Sequence, residues 1–195
     1  MADEKLFIPI ILGTPRQNRE SENAALWVFG KMEEHEELET QFFDVRDFDL
    51  PRDDYGQALK AQFPEWRDSI IKADGLVIVT PEYNHGYPGA LKSVLDILLR
   101  EYVHKPVAFV GVSAGIWGGT RVIEACLPMV RELGLVPTFT DLNFPKVASK
   151  FDDEGKLQDE VYEKLLSGFL EELIWMARTL RWGRRNVASK FHPQP

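Results

Sequence analysis

Three short stretches gather most of the residues able to hold a polar ligand: GTPRQNRES at 13–21, TPEYNHGYPG at 80–89 and SAGIWGGTR at 113–121. The first offers the Thr14 and Ser21 hydroxyls, with Arg16 as a counter-charge. That set suits a phosphate if Gly13 turns the chain into a helix whose first N–H groups lack partners. The second carries Pro81, Glu82, Tyr83 and Asn84 ahead of Gly86, so backbone amides lie beside an aromatic wall. The third sets Ser113, Ala114, Gly115 and Gly118 around Trp117, where small residues let backbone approach a flat ligand and an indole can stack on it or seal a subunit contact. Each stretch read alone is equally a capped or glycine-rich turn.

A planar group with one apolar edge and one hydrogen-bonding edge fits the second and third stretches together. A flavin ring has that split, and fixed N–H donors would stabilise the negative charge it gains on reduction. Glu82 and His85 are also an acid and a base. Yet no GxSxG, HExxH or Cys–His pairing accompanies them. His35, His85, His104 and His192 are scattered without metal-ligand spacing. Neither a Walker A loop nor GxGxxG occurs. A hydrolase reading therefore weighs little, and neither a catalytic side chain nor a metal site is expected.

These stretches need rigid elements to aim them. Leu6–Leu12, Leu38–Val45, Gly75–Val79, Pro106–Val112 and Val136–Leu142 read as strands, the first interrupted by Pro9. Helices are expected from Glu20 or Ser21, near Ala58–Lys72, along Leu91–Leu98 and across Val122–Leu133, where Pro128 introduces a kink and Gly134 a stop. A last long helix is expected to bury Tyr162, Leu165, Phe169, Leu173, Met176 and Leu180. Strands buried on both faces with crossover helices specify an α/β fold, a flavodoxin-like three-layer sandwich with a five-stranded parallel sheet in the order 2-1-3-4-5. Residues 1–182 form one domain and 183–195 a tail. All three polar stretches then fall at the carboxyl ends of adjacent strands, where such sheets bind ligands.

The motifs themselves resemble the NAD(P)H-dependent FMN reductase family, which includes chromate- and quinone-reducing members. TPEYNHGYPGALKSVLD is similar to its PEYN-x-x-x-PGxLKNxxD segment, and Ser113–Gly119 to its Ser-x-Gly-x-x-Gly-Gly. Gly13-Thr14-Pro15-Arg16 and Ser21-Glu22-Asn23 stand for its Gly-Ser-x-Arg and Ser-x-Asn, with a longer spacing between them, and Ser93 replaces a common asparagine. The resemblance implies FMN, its phosphate held among Gly13, Thr14, Arg16, Asn18, Ser21 and Asn23. It places the ring along Pro81–Asn84, with Ser113–Gly119 on the other side. It further implies NADPH or NADH as co-substrate, a small-molecule electron acceptor and a homodimer or homotetramer. Arg16, Arg121 and the C-terminal arginines are candidate partners for the 2′-phosphate of NADPH.

Composition bounds the alternatives. The 195 residues carry 23 basic against 31 acidic side chains, a formal charge of −8, which argues against nucleic acid or an anionic membrane as partner. The single cysteine excludes an intrachain disulfide and a cysteine-based metal cluster. No apolar run reaches the roughly 18 residues a membrane span needs, and the first residues lack a basic leader, so a cytoplasmic location is expected. A flavodoxin-type FMN electron carrier without pyridine-nucleotide activity is the competing reading, since carriers present acidic docking faces. A cofactor-free interaction protein on the same fold is the third.

Overall fold

The computed structural model describes residues 4–50 and 59–191. The expected strands are broken into shorter ones: β1 (Leu6–Phe7), β2 (Ile10–Leu12), β3 (Leu38–Glu39), β4 (Phe42–Asp44), β5 (Leu76–Pro81), β6 (Pro106–Val112), β7 (Val136–Pro137) and β8 (Leu142–Phe144). The main sheet has six strands in the order β4-β2-β5-β6-β7, with β8 also on β6, and β1 pairs with β3 beside it. Every pairing is parallel. The expected count of five is thus corrected to eight short strands among the described residues, six of them in the main sheet. There the piece of the second expected strand (β4) lies beside that of the first (β2), followed by β5, β6 and β7.

The breaks have local causes. Pro9 has no N–H to donate and separates β1 from β2, although Ile8 and Ile10 still donate to Glu39 and Gln41 across the gap. The last expected strand leaves β6 after Pro137 and returns at Leu142, so β7 and β8 share one strand as a neighbour.

The helices are α1 (Ser21–Glu34), α2 (Leu59–Gln62), α3 (Pro64–Lys72), α4 (Gly89–Leu95), α5 (Thr120–Glu132) and α6 (Val161–Asn186). Alternation along the strands divides the interior into two cores. Leu12, Val77, Val79, Ala108 and Val110 face α1 and α6, while Ile11, Ile78, Val107 and Phe109 face α3, α4 and α5. That is the expected three-layer arrangement. Burying a side chain such as Phe109 contributes roughly 2–3 kcal/mol, so the two cores supply most of the fold's stability.

α5 runs through Pro128 without a break, and Gly134 follows it at φ +79°. Cys126 is buried on this helix, and burial raises its thiol to about 12. α6 buries Tyr162, Leu166, Phe169, Leu170, Leu173, Ile174 and Ala177, whereas Leu165 is exposed. The real face is rotated from the expected one, because the helix packs on α1 and the sheet together and needs a wider stripe. α6 also continues past residue 182 and ends at Asn186, inside the segment expected as a tail. The helix expected near Ala58 begins within the described residues only at Leu59; residues 51–58 lie outside them.

Candidate functional site

The carboxyl ends of β2, β5 and β6 bring the three polar stretches together. β2 and β5 are paired through Leu12 and Val79, and β5 and β6 through Pro81 and Val112. The Gly13 N–H donates to Val79 O at 2.8 Å, and a Cβ at Gly13 would stand 2.9 Å from Leu91 Cδ2. A side chain there would press on Leu91 of α4 as the first loop leaves the sheet.

In that loop Thr14 is fully buried, and its Oγ1 lies 2.6 Å from the Tyr83 hydroxyl, joining the first loop to the second. Arg16 is exposed, and its guanidinium sits 3.7 Å from the centroid of the Tyr83 ring. One face of that ring is therefore covered by a cation instead of standing open as a bare wall. Asn18 is exposed at φ +50°. Ser21 opens α1 and is 3% exposed, yet its Oγ has no hydrogen-bond partner. A buried hydroxyl left unpaired costs about 1–3 kcal/mol, so its place at a helix N-terminus calls for a ligand. No side chain caps α1. Asn23, in the first turn, faces the bend at Gly155, where a Cβ would approach its Oδ1 to 3.3 Å.

The loop is braced by a residue that sequence reasoning did not single out. Arg19 is buried and donates to the carbonyl of Thr14, to both carboxylate oxygens of Asp44 and to Glu22. Arg46 adds two side-chain hydrogen bonds to the same Asp44 carboxylate. Burial alone would raise the Asp44 carboxyl, but the hydrogen bonds from Arg19 and Arg46 outweigh it and hold the group at about 2. Nothing local in the sequence marks this contact, because the partners lie 25 positions apart and meet only once β4 lies beside β2.

The second loop folds into a tight turn. Tyr83 and Gly86 exchange both backbone hydrogen bonds, and Asn84 and His85 between them take φ of +52° and +64°, the pattern of a type I′ turn. The Tyr83 and Gly86 amides are consumed within the turn, and that of Glu82 goes to Val112 O. Pro81 has no N–H. The donors free to meet a ligand are thus Asn84 and His85, not the amide of Gly86. Glu82 Oε1 pairs with Arg121 Nε at 2.9 Å, while its buried Oε2 has no partner.

In the third loop the amides of Ser113, Lys146 and Val147 hold the backbone through Phe144 O, Gly115 O and Ser113 O. Ser113 Oγ bonds Gly115 O at 3.0 Å. Ala114, Gly115 and Trp117 are exposed, Trp117 by 57%. Gly118 and Gly119 take φ of +59° and +82°. A Cβ at Gly119 would lie 2.6 Å from Val112 N, and one at Gly118 2.9 Å from Asn143 Cβ. The chain is wedged against the end of β6 at a point where only glycine fits. Asn143 Nδ2 holds Gly118 O at 3.1 Å, and Tyr162 of α6 donates to Asn143 O at 3.0 Å. Among the described residues no group of three or more His, Cys, Asp or Glu side chains is placed to hold a metal ion.

Residues 8–148 match the family model described as NADPH-dependent FMN reductase. The chain belongs to this family. A quinone reductase of Pseudomonas putida is 35% identical over 127 residues, which cover 57% of this chain and 65% of that protein. An NAD(P)H-dependent FMN reductase of a Nectria species is 29% identical over 170 residues, 78% of this chain and 84% of that protein. The flavoenzyme FerB of Paracoccus denitrificans, an NAD(P)H:acceptor oxidoreductase, superposes with a TM-score of 0.72 at 24% identity, covering 89% of this chain and 98% of that one. The last similarity establishes the flavodoxin-like fold. This family member fits FMN on its own geometry as well: an unpartnered buried hydroxyl opens α1, and a glycine wedge and two groups of free amides stand at the ends of adjacent strands.

Proposed function

We propose that the protein is an FMN-dependent oxidoreductase that passes hydride from NADPH or NADH to a quinone, a flavin or a similar small acceptor. FMN, when bound, would supply the redox chemistry between nucleotide and acceptor. The chain supplies position and electrostatics. Thr14, Ser21 and Asn23, with the first-turn N–H groups of α1, bind the phosphate, and Arg16 and Asn18 border it. The amides of Asn84, His85, Ala114 and Gly115 direct fixed donors toward the polar edge of the ring, stabilising negative charge as it develops there. Tyr83 is locked in place by Thr14, and Gly13, Pro81, Glu82, Ser113 and Gly118 set the backbone around it. Trp117 shields one side from water.

The observation that carries this reading is the buried, unpartnered Ser21 hydroxyl at the start of α1, beside the two other ligand-shaped loops. Ile116, Trp117 and Phe139 are exposed by 66%, 57% and 84%, which supports a homodimer or homotetramer in which a second copy covers them. No helix among the described residues is long and apolar enough to cross a membrane, in keeping with a cytoplasmic enzyme.

The test is spectroscopic. Protein loaded with FMN is mixed anaerobically with NADPH and then NADH, and a benzoquinone is added afterwards. Bleaching of the visible flavin band by either nucleotide, reversed by the quinone, is expected. Retained FMN that neither nucleotide bleaches would instead identify an electron carrier, and failure to retain FMN at all would overturn the reading.

A further inference from the structure

At the amino ends of β5 and β6, away from the loops described above, lies a cleft of about 640 Å³. It opens between the end of α3, the short turn Arg100–Tyr102 and the last turns of α6. The length of β5 alone separates it from the carboxyl-end site by roughly 20 Å. Six cationic side chains line it (Lys72, Arg100, Lys105, Arg181, Arg184 and Arg185) against two acids, Asp74 and Glu101. In a chain of formal charge −8 this is a local reversal of sign.

Internal pairing does not cancel the excess. Arg181 and Arg184 share the one carboxylate of Asp74, at 3.2 and 2.9 Å, Arg181 also stands 3.9 Å from Glu4, and Lys72 pairs with Glu39 at 2.7 Å. Arg185 pairs with Glu4, and Glu101 is taken by Lys60 from outside the cleft. Lys105 meets no carboxylate: its ammonium donates to the carbonyls of Ile70 and Ile71 at the end of α3, leaving one of three N–H groups. Arg100 is exposed and has no ion-pair partner among the described residues. Burial first, and then the neighbouring Arg184, lowers the Lys105 ammonium to about 7 against the opposing pull of Asp74 and Glu101. Ile71, Val103 and Val187 add an apolar wall. The volume is within the range of small-molecule sites, and arginine forks match oxyanions in a bidentate way.

We propose that this cleft is a second ligand site, which takes a small molecule carrying a compact multivalent oxyanion. Phosphate-type and polycarboxylate groups share that chemistry. Titration calorimetry on protein saturated with FMN, with inorganic pyrophosphate and citrate as separate probes and potassium chloride at matched ionic strength as control, decides the matter. One-site binding of at least one probe is expected, weakened threefold or more by Arg100→Gln and tenfold or more by Lys105→Met. Ser21→Ala should leave this binding unchanged. The preferred probe tells phosphate from carboxylate. Absence of binding by both, heats reproduced by chloride, or binding lost in Ser21→Ala but kept in Arg100→Gln would each overturn the proposal. Arg100 is exposed and unpaired, so its substitution keeps the test valid even if Lys105→Met does not fold.

Discussion

The two ends of the central sheet are built from opposite materials. At the carboxyl ends of β2, β5 and β6 the chain turns on Gly118, Gly119, Asn84 and His85, all at positive φ, and presents backbone amides. The full charges buried there are tied up internally, Glu82 to Arg121 and Arg19 to Asp44. At the amino ends, long arginine and lysine side chains converge on two carboxylates. Backbone donors are fixed by the fold and need no reorganisation when a ligand's charge changes, which suits a redox ring. Charged side chains follow salt and pH, which suits a site whose occupancy varies.

Mutations at either end should fail in different ways. The largest effect is expected from Gly119→Ala. Its Cβ would collide with Val112 N in a backbone conformation that alanine resists, so thermal or urea unfolding should show a loss of about 3 kcal/mol or more, together with loss of FMN. A stable, flavin-bound variant would break the view that this loop is a rigid wedge.

Arg19→Met comes next, with about 3 kcal/mol lost by urea titration at pH 7, because Asp44 keeps only Arg46. The pH dependence has a definite sign. Asp44 is held at about 2 against an ordinary 3.8, so its contribution is complete above about pH 4 and disappears as pH falls toward 2. The wild type should show this acid loss, about 2 kcal/mol, and Arg19→Met should show less of it.

At the other end stability again rises with pH, but because a buried cation is discharged rather than because a paired carboxylate ionises. Lys105 is lowered from 10.5 to about 7 by burial and by Arg184, so between these values the unfolded chain binds more protons than the folded one. Stability should therefore rise from pH 7 toward 10, by up to roughly 1.4 kcal/mol per pH unit. Lys105→Met should flatten that rise; an unchanged slope would place its origin elsewhere.

The smallest effect on stability, and the sharpest on binding, is expected from Ser21→Ala. Removing an unpartnered hydroxyl should leave the apo protein as stable as before or slightly more so. FMN affinity, read by fluorescence quenching, should fall about 10- to 100-fold. Equal losses in both measurements would mean that the hydroxyl serves the fold and not a ligand.

Much of this was legible before any coordinates. Apolar runs such as 76–79 and 106–112 are fully buried strands, and their periodicity needed no tertiary information. The loops after them were visible as polar, glycine-rich interruptions. What escaped reading depends on contacts distant in sequence. Nothing in GTPRQNRES distinguishes Arg19 from its neighbours, and its role appears only where β4 brings Asp44 beside it. The buried face of α6 was displaced because that helix packs on two neighbours, and the choice of free amides in the second loop follows from a turn type that TPEYNHGYPG does not declare. The arginines near the C-terminus seemed to belong to a tail, but α6 carries them back against Asp74 and the carbonyl of His104.

Cys126 turns the α5 layer into its own reporter. It is the only thiol in the chain, and burial leaves it both inaccessible and protonated. A neutral alkylating reagent can therefore react only when α5 lifts from the sheet, and the labelling rate at low reagent counts those openings directly. The same shelter keeps the thiol out of reach of peroxide, so handling the protein without added reductant should leave it chemically unchanged.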